Sequence, residues 1–203
     1  RNLSILDSDR GIEVAGSNRI YIDNIYFGEP FRRSGTGKTG HYGLSINNMT
    51  QDSVAENINI DQHFIHNFSV ASWATGNVYS NVRTLTAAGD HHSAGANNNV
   101  YTEVIVVEDA SDMFSSHRAG INATFWNIRL ANSSTINFPG YSSNRFPSVN
   151  LIGIAKWATS RISGISGTYI EKDVTTPPNI YKAQLAWRLG GGYSPSPTPT
   201  PTP

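Results

Sequence analysis

Three groups of side chains in the middle of the chain could do chemistry. Asp61, His63 and His66 form the first, Asp90-His91-His92 the second, and Asp109, Asp112, His117 and Arg118 the third. Carboxylates, imidazoles and a guanidinium together suit two ways of cleaving a polysaccharide. Hydrolysis of a glycosidic bond needs two carboxyl groups, one as acid and one as base or nucleophile, and Asp90 with Asp109 or Asp112 would supply them. Elimination next to a uronate needs a base and a cation that holds the developing charge, roles for His91 or His92 and for Arg118. Asp61, His63 and His66 would then bind substrate. The plainer alternative is that these residues decorate turns, where Asp and Asn are common. No metal is expected, because His63 and His66 are three apart and a strand sends that spacing to opposite faces.

Aromatic residues offer a second kind of sugar contact. Their faces stack on the apolar C–H faces of a sugar ring while neighbouring amides and carboxylates meet the hydroxyls. Trp73, preceded by Ala71-Ser72, and Tyr101 are the residues assigned to substrate binding on this ground, whereas Trp126, between Phe125 and Asn127, reads as core.

For these groups to meet, something must stack segments far apart in number. Short β-branched or aromatic runs recur, many opening with Asn: Asn24–Phe27, Asn57–Ile60, Asn67–Val70, Asn81–Leu85, Asn99–Thr102, Asn127–Leu130 and Asn150–Ile154. Each alternates as a half-buried strand does. Their gaps are irregular, but several fit a solenoid coil of roughly 20–30 residues. Asn suits the corner before such a strand, since it tolerates left-handed backbone and can bond its equivalents from coil to coil. An antiparallel sandwich is the alternative, but the Asn-Gly and Asp-Gly hairpin signals are absent. The fold expected is therefore an all-β, right-handed parallel β-helix over residues 1–192, comprising C-terminal coils without the N-terminal ones.

Two stretches read as excursions from the coils, Gly28–Gly43 and Asn132–Ser148. The first holds Gly35-Thr36-Gly37-Lys38-Thr39, yet Arg32-Arg33 stand where a phosphate-binding loop needs its first glycine, and no helix pattern follows. No nucleotide or other cofactor is expected. From residue 193 alternating prolines forbid helix and ladder alike, leaving an extended Ser/Thr-Pro tail as linker or glycan carrier, with Thr198, Thr200 and Thr202 as O-glycan sites.

Composition narrows the partners. Fifteen basic and fifteen acidic residues give zero net charge, so there is no footprint for nucleic acid. No apolar run reaches the ~18 residues of a membrane helix, so no membrane insertion is expected. There is no cysteine. Five Asn-x-Ser/Thr sequons, at Asn2, Asn48, Asn67, Asn122 and Asn132, are about as many as this composition gives by chance.

The stretch from Gly40 to Arg129 resembles part of a parallel β-helix family found in secreted polysaccharide-degrading proteins. Gly40–Gly43, Phe64–Val70, Gly76–Asn81, Asp90-His91-His92, His117–Gly120 and Thr124–Ile128 carry the likeness. It implies a β-helix fold and a glycan setting, without a catalytic assignment. The function expected is an extracellular or cell-surface module that binds or cleaves a polysaccharide along a groove on stacked strands, by lyase or glycoside hydrolase chemistry if it cleaves. The alternative is a structural glycoprotein subunit of an extracellular filament or coat, self-associating through open coil ends.

Overall fold

The computed structural model describes residues 1–28, 40–92, 95–109, 122–131, 149–154, 169–171 and 176–192. Its strands are β1 (Leu3–Leu6), β2 (Arg10–Ala15), β3 (Tyr21–Gly28), β4 (Gly40–Asn47), β5 (Val54–Ile60) and β6 (Phe64–Ala71), continuing with β7 (Val78–Thr86), β8 (Gly89–His92), β9 (Val100–Asp109), β10 (Thr124–Leu130), β11 (Asn150–Ile152) and β12 (Tyr169–Glu171). Odd and even strands separate into two sheets. The long one runs β1-β3-β5-β7-β9-β10-β11-β12 and the short one β2-β4-β6-β8. Every pairing is parallel. A third, single-bridge ladder joins Asn18, Gln51, Thr75 and Asn97. The chain is thus a β-solenoid of about four turns.

Parallel register puts like on like. Ile25, Ile58, Val82, Val104 and Ile128 stack as one inward column, and all are at most 3% exposed. A second column is aromatic: Tyr79, Tyr101 and Phe125 lie on successive rungs with ring centroids 5.4 and 4.9 Å apart and planes within 7° of parallel. Such columns suit a chain with few leucines, because flat and β-branched side chains repeat at rung spacing without voids.

The corners explain the asparagines. Asn2, Asn24, Asn57, Asn81 and Asn127 occupy one position on successive long-sheet rungs, all at φ 54–58°, where the strand bends. Asn24 donates to Asn2 at 2.9 Å and Asn81 to Asn57 at 2.8 Å, while Asn57 donates to Asp23 at 2.7 Å. The ladder expected from the sequence is present, although it sits inside the strands rather than ahead of them. Glu103, at φ 56°, takes its place on β9.

Three expectations are corrected. Gly40–Gly43 is not loop but the start of β4; residues 29–39 lie outside the described set, as do 132–148 and the tail from 193. The domain is also not purely β. Residues 176–179 lead into α1 (Ile180–Arg188), capped by the Asn179 side chain accepting from the Lys182 amide at 3.0 Å. This segment crosses the outer face of the long sheet as a strap. Trp126 and Asn127 on β10 donate to the carbonyls of Pro177 and Pro178 at 2.6 and 2.8 Å. Asn179 donates to Ser80 on β7 and Glu103 on β9, and Lys182 faces Glu56 on β5 at 3.7 Å. Trp126 therefore faces outward beneath the strap rather than into the core.

Candidate functional site

The short sheet presents a cleft of about 190 Å³. Its polar lining belongs to two rows of side chains, each aligned along the coil axis and continuing beyond the cleft. Glu13, Ser45, Ser69 and Asp90 are register partners on β2, β4, β6 and β8. Arg10, Tyr42 and His66 are register partners on the first three of those strands. Alternation explains the first row: Leu44 and Ile46 point inward, so Ser45 between them points out, and Ser69 repeats this between Phe68 and Val70. Gly11 and Gly43 let the rungs approach where the strand bends. A Cβ on Gly43 would lie 2.4 Å from the Asn67 carbonyl oxygen, and one on Gly11 would lie 2.4 Å from that of Gly43.

The rows interact across rungs. The Arg10 guanidinium lies 5.5 Å from the centre of the Tyr42 ring, and the Tyr42 and His66 rings are 5.0 Å apart. His66 Nδ1 is 3.7 Å from the Asp90 carboxylate, which is fully buried. Burial raises the Tyr42 phenol above its usual pKa, and the Asp90 charge adds to that, so it stays a neutral hydroxyl. The Ser45 and Ser69 hydroxyls are 2.8 Å apart, and Asn47 donates to Ser45 at 2.7 Å and to Glu13 at 3.3 Å. The cleft thus offers a phenol, a guanidinium, the Glu13 carboxylate and the Asn47 amide, over a floor in which Ser45 and Ser69 are 3% and 1% exposed.

The residues expected to act together are divided by the fold. Asp90 and His66 meet beside this cleft, outside its lining, with the carboxylate fully buried. Asp61 and His63 sit at the corner between β5 and β6, where Asp61 is paired with Arg83 and His63 Nε2 is 3.2 Å from Glu108. His91 points inward, because neighbours on a strand face opposite sides. It is 1% exposed with its Nε2 2.8 Å from the Tyr101 hydroxyl, and burial depresses its pKa to about 3. A neutral imidazole inside the core is no catalytic base for a polymer outside. Tyr101 is likewise corrected: it is fully buried in the aromatic column and cannot touch substrate. Trp73 is 61% exposed, as its sequence context predicts. The side chains of His92 and Asp109, and all of Asp112, His117 and Arg118, lie outside the described residues.

Glu13 and Asp90, the two carboxylates of the row, stand three rungs apart, or about 14 Å. A hydrolytic pair needs about 5–9.5 Å. Glu13 and Asp90 therefore do not have the spacing of a hydrolytic pair.

Sequence reasoning missed Arg10, Glu13, Tyr42, Ser45 and Ser69. Glu13, Ser45 and Ser69 share a signal, a polar residue between apolar ones at equivalent points of each coil, whereas Arg10 and Tyr42 are linked by register alone. That signal emerges only with the register, since Glu13 and Ser45 belong to a coil longer than the 24 residues between Ser45 and Ser69. Among the described residues no group of three His, Asp or Glu could hold a metal ion. Compared with known proteins, the chain matches no family model, no curated protein and no solved structure.

Proposed function

We propose that this chain is an extracellular, carbohydrate-directed module of the right-handed parallel β-helix kind, binding a polysaccharide along its short sheet. The observation that carries the reading is the pair of axial rows, Arg10-Tyr42-His66 and Glu13-Ser45-Ser69-Asp90. A polymer laid along the axis meets polar side chains on successive rungs. Arg10, Glu13, Asn47 and the Tyr42 hydroxyl supply donors and acceptors for hydroxyls, while the buried pair Ser45 and Ser69 braces the floor beneath them. The neutral overall charge fits a partner recognised by hydroxyls better than one recognised by phosphates. In the same reading, Thr198, Thr200 and Thr202 carry O-glycans.

Calorimetry against a panel of neutral and uronate-bearing polysaccharides tests the proposal. Tyr42→Ala and Arg10→Ala should each weaken binding about tenfold, the cost of one or two hydrogen bonds lost from a binding site. Circular dichroism should be unchanged. Unaltered affinity in both variants would remove the short sheet as the binding surface. The same incubations, followed for new reducing ends or unsaturated products, separate binding from cleavage. Asp112→Asn, His117→Ala and Arg118→Ala report on any turnover.

A further inference from the structure

At the corner where the short sheet gives way to the single-bridge ladder, one aromatic ring is held ready. Trp73 has φ 66°, a backbone conformation unusual for a bulky residue, and is 61% exposed. Its ring lies against Gly95 on the next coil. A Cβ placed on Gly95 would stand 2.5 Å from two atoms of the indole, so only glycine leaves room for the ring to lie there. Gly95 is itself fixed, since Asn97 donates to its carbonyl at 2.7 Å. Asn97 in turn accepts from Thr75 at 2.6 Å and from Asn98 at 2.7 Å. One face of the indole is thus backed by immobilised backbone.

We infer that Trp73 is a stacking platform for a neutral pyranose ring, a subsite separate from the cleft on the short sheet. Amides and hydroxyls flank it: Thr75 and Asn97 belong to the bridge ladder that runs beside it. At the following corner position Arg19 and Asp52 stand on earlier rungs, and Gly76 and Asn98 on the two rungs that Trp73 spans. The Asp52 carboxylate reaches over Gly76, whose Cβ, if it had one, would stand 2.8 Å from its Oδ1. An indole flanked by amides, a hydroxyl and an acidic group suits a ring that carries hydroxyls and no carboxylate, because a uronate would meet like charge. Met49, 64% exposed on the rung before, extends the apolar strip along the axis. A ring backed in advance loses little freedom when a sugar settles on it, and that favours binding.

The inference rests on the polysaccharide reading for its choice of ligand, while its residues are independent of Tyr42 and Arg10. The test is titration of the full chain with a neutral and a uronate-bearing oligosaccharide, followed by calorimetry and tryptophan fluorescence. The neutral sugar should perturb the emission. Trp73→Ala should lose about tenfold in affinity with the thermal midpoint retained, and Trp73→Phe should recover part of it. Gly95→Ala, which pushes the ring off its seat, should weaken binding while leaving Trp73 in place. If Tyr42→Ala abolishes binding and Trp73→Ala does not alter it, the platform is overturned and the cleft stands. A Trp73-dependent response confined to the uronate overturns the neutral assignment. If the unmodified chain binds neither sugar, the polysaccharide reading falls and the platform with it.

Discussion

His91 and Tyr101 meet inside the coil, the imidazole Nε2 2.8 Å from the phenolic oxygen, with the imidazole 1% exposed and the phenol fully buried. The pair comes from β8 of the short sheet and β9 of the long sheet, so it ties the two across the core.

This burial makes stability depend on pH with a definite sign. Burial depresses the His91 pKa to about 3, against about 6.5 in the unfolded chain. Above about 6.5 both states hold the imidazole neutral. Between about 6.5 and 3 the unfolded chain takes a proton that the folded one refuses, so stability falls as the medium is acidified, by up to about 1.4 kcal/mol per pH unit. Urea unfolding at pH 7, 6 and 5 should show a shallower decline for His91→Gln than for the parent. Equal slopes would mean that His91 is not held neutral.

The asparagine ladder separates backbone preference from hydrogen bonding. Asn81→Ala removes the 2.8 Å bond to Asn57 and puts an ordinary side chain at φ 54°, a loss of about 2 kcal/mol. Asn81→Gly removes the same bond but keeps the conformation at ease, so about half that loss is expected. Denaturant midpoints of the two variants give the comparison, and a glycine variant as unstable as the alanine one would show that conformation contributes nothing there.

Close approach between rungs at Gly43 predicts a larger effect from a smaller change. The added methyl of Gly43→Ala would fall 2.4 Å from the Asn67 carbonyl oxygen, against backbone that cannot rotate away. A cost of about 2–3 kcal/mol is expected, typical of overpacking, and a thermal midpoint within a degree of the parent would contradict it.

The strap hangs on Asn179, which caps α1 and donates to Ser80 and Glu103. Asn179→Ala should cost about 1–2 kcal/mol locally. Amide exchange at Ile180–Ala183 and indole exchange at Trp126 should accelerate, with the column Ile58, Val82 and Val104 still protected. Uniform acceleration through the core would show that the strap supports the whole coil.

What could be read from the sequence was what depends on neighbours in number. Asn24, Asn57, Asn81 and Asn127 announced their bends because left-handed backbone is a local preference. Trp73 announced its exposure because Ala71 and Ser72 give it no apolar run to join. The division between inside and outside was harder. Asp90 and His91 look like one catalytic pair, yet alternation parts them, and Tyr101 is amphipathic enough to serve either side. The polar rows on the short sheet depend on register, which a coil of unequal length conceals. The nine residues of α1 were overlooked although Pro177-Pro178-Asn179 is a helix-start signal, because a composition poor in Lys, Glu and Leu argues against helix everywhere.

The strap also inspects the work of folding. Its partners Glu56, Ser80, Glu103 and Trp126 come from four different rungs, and in synthesis all four precede it. A coil slipped by one step would present the wrong side chains at each of those points, and Asn179 would find neither the serine nor the carboxylate it bridges. Docking of the strap therefore rewards only a correctly stacked molecule, and acts as a check on the register of those four rungs.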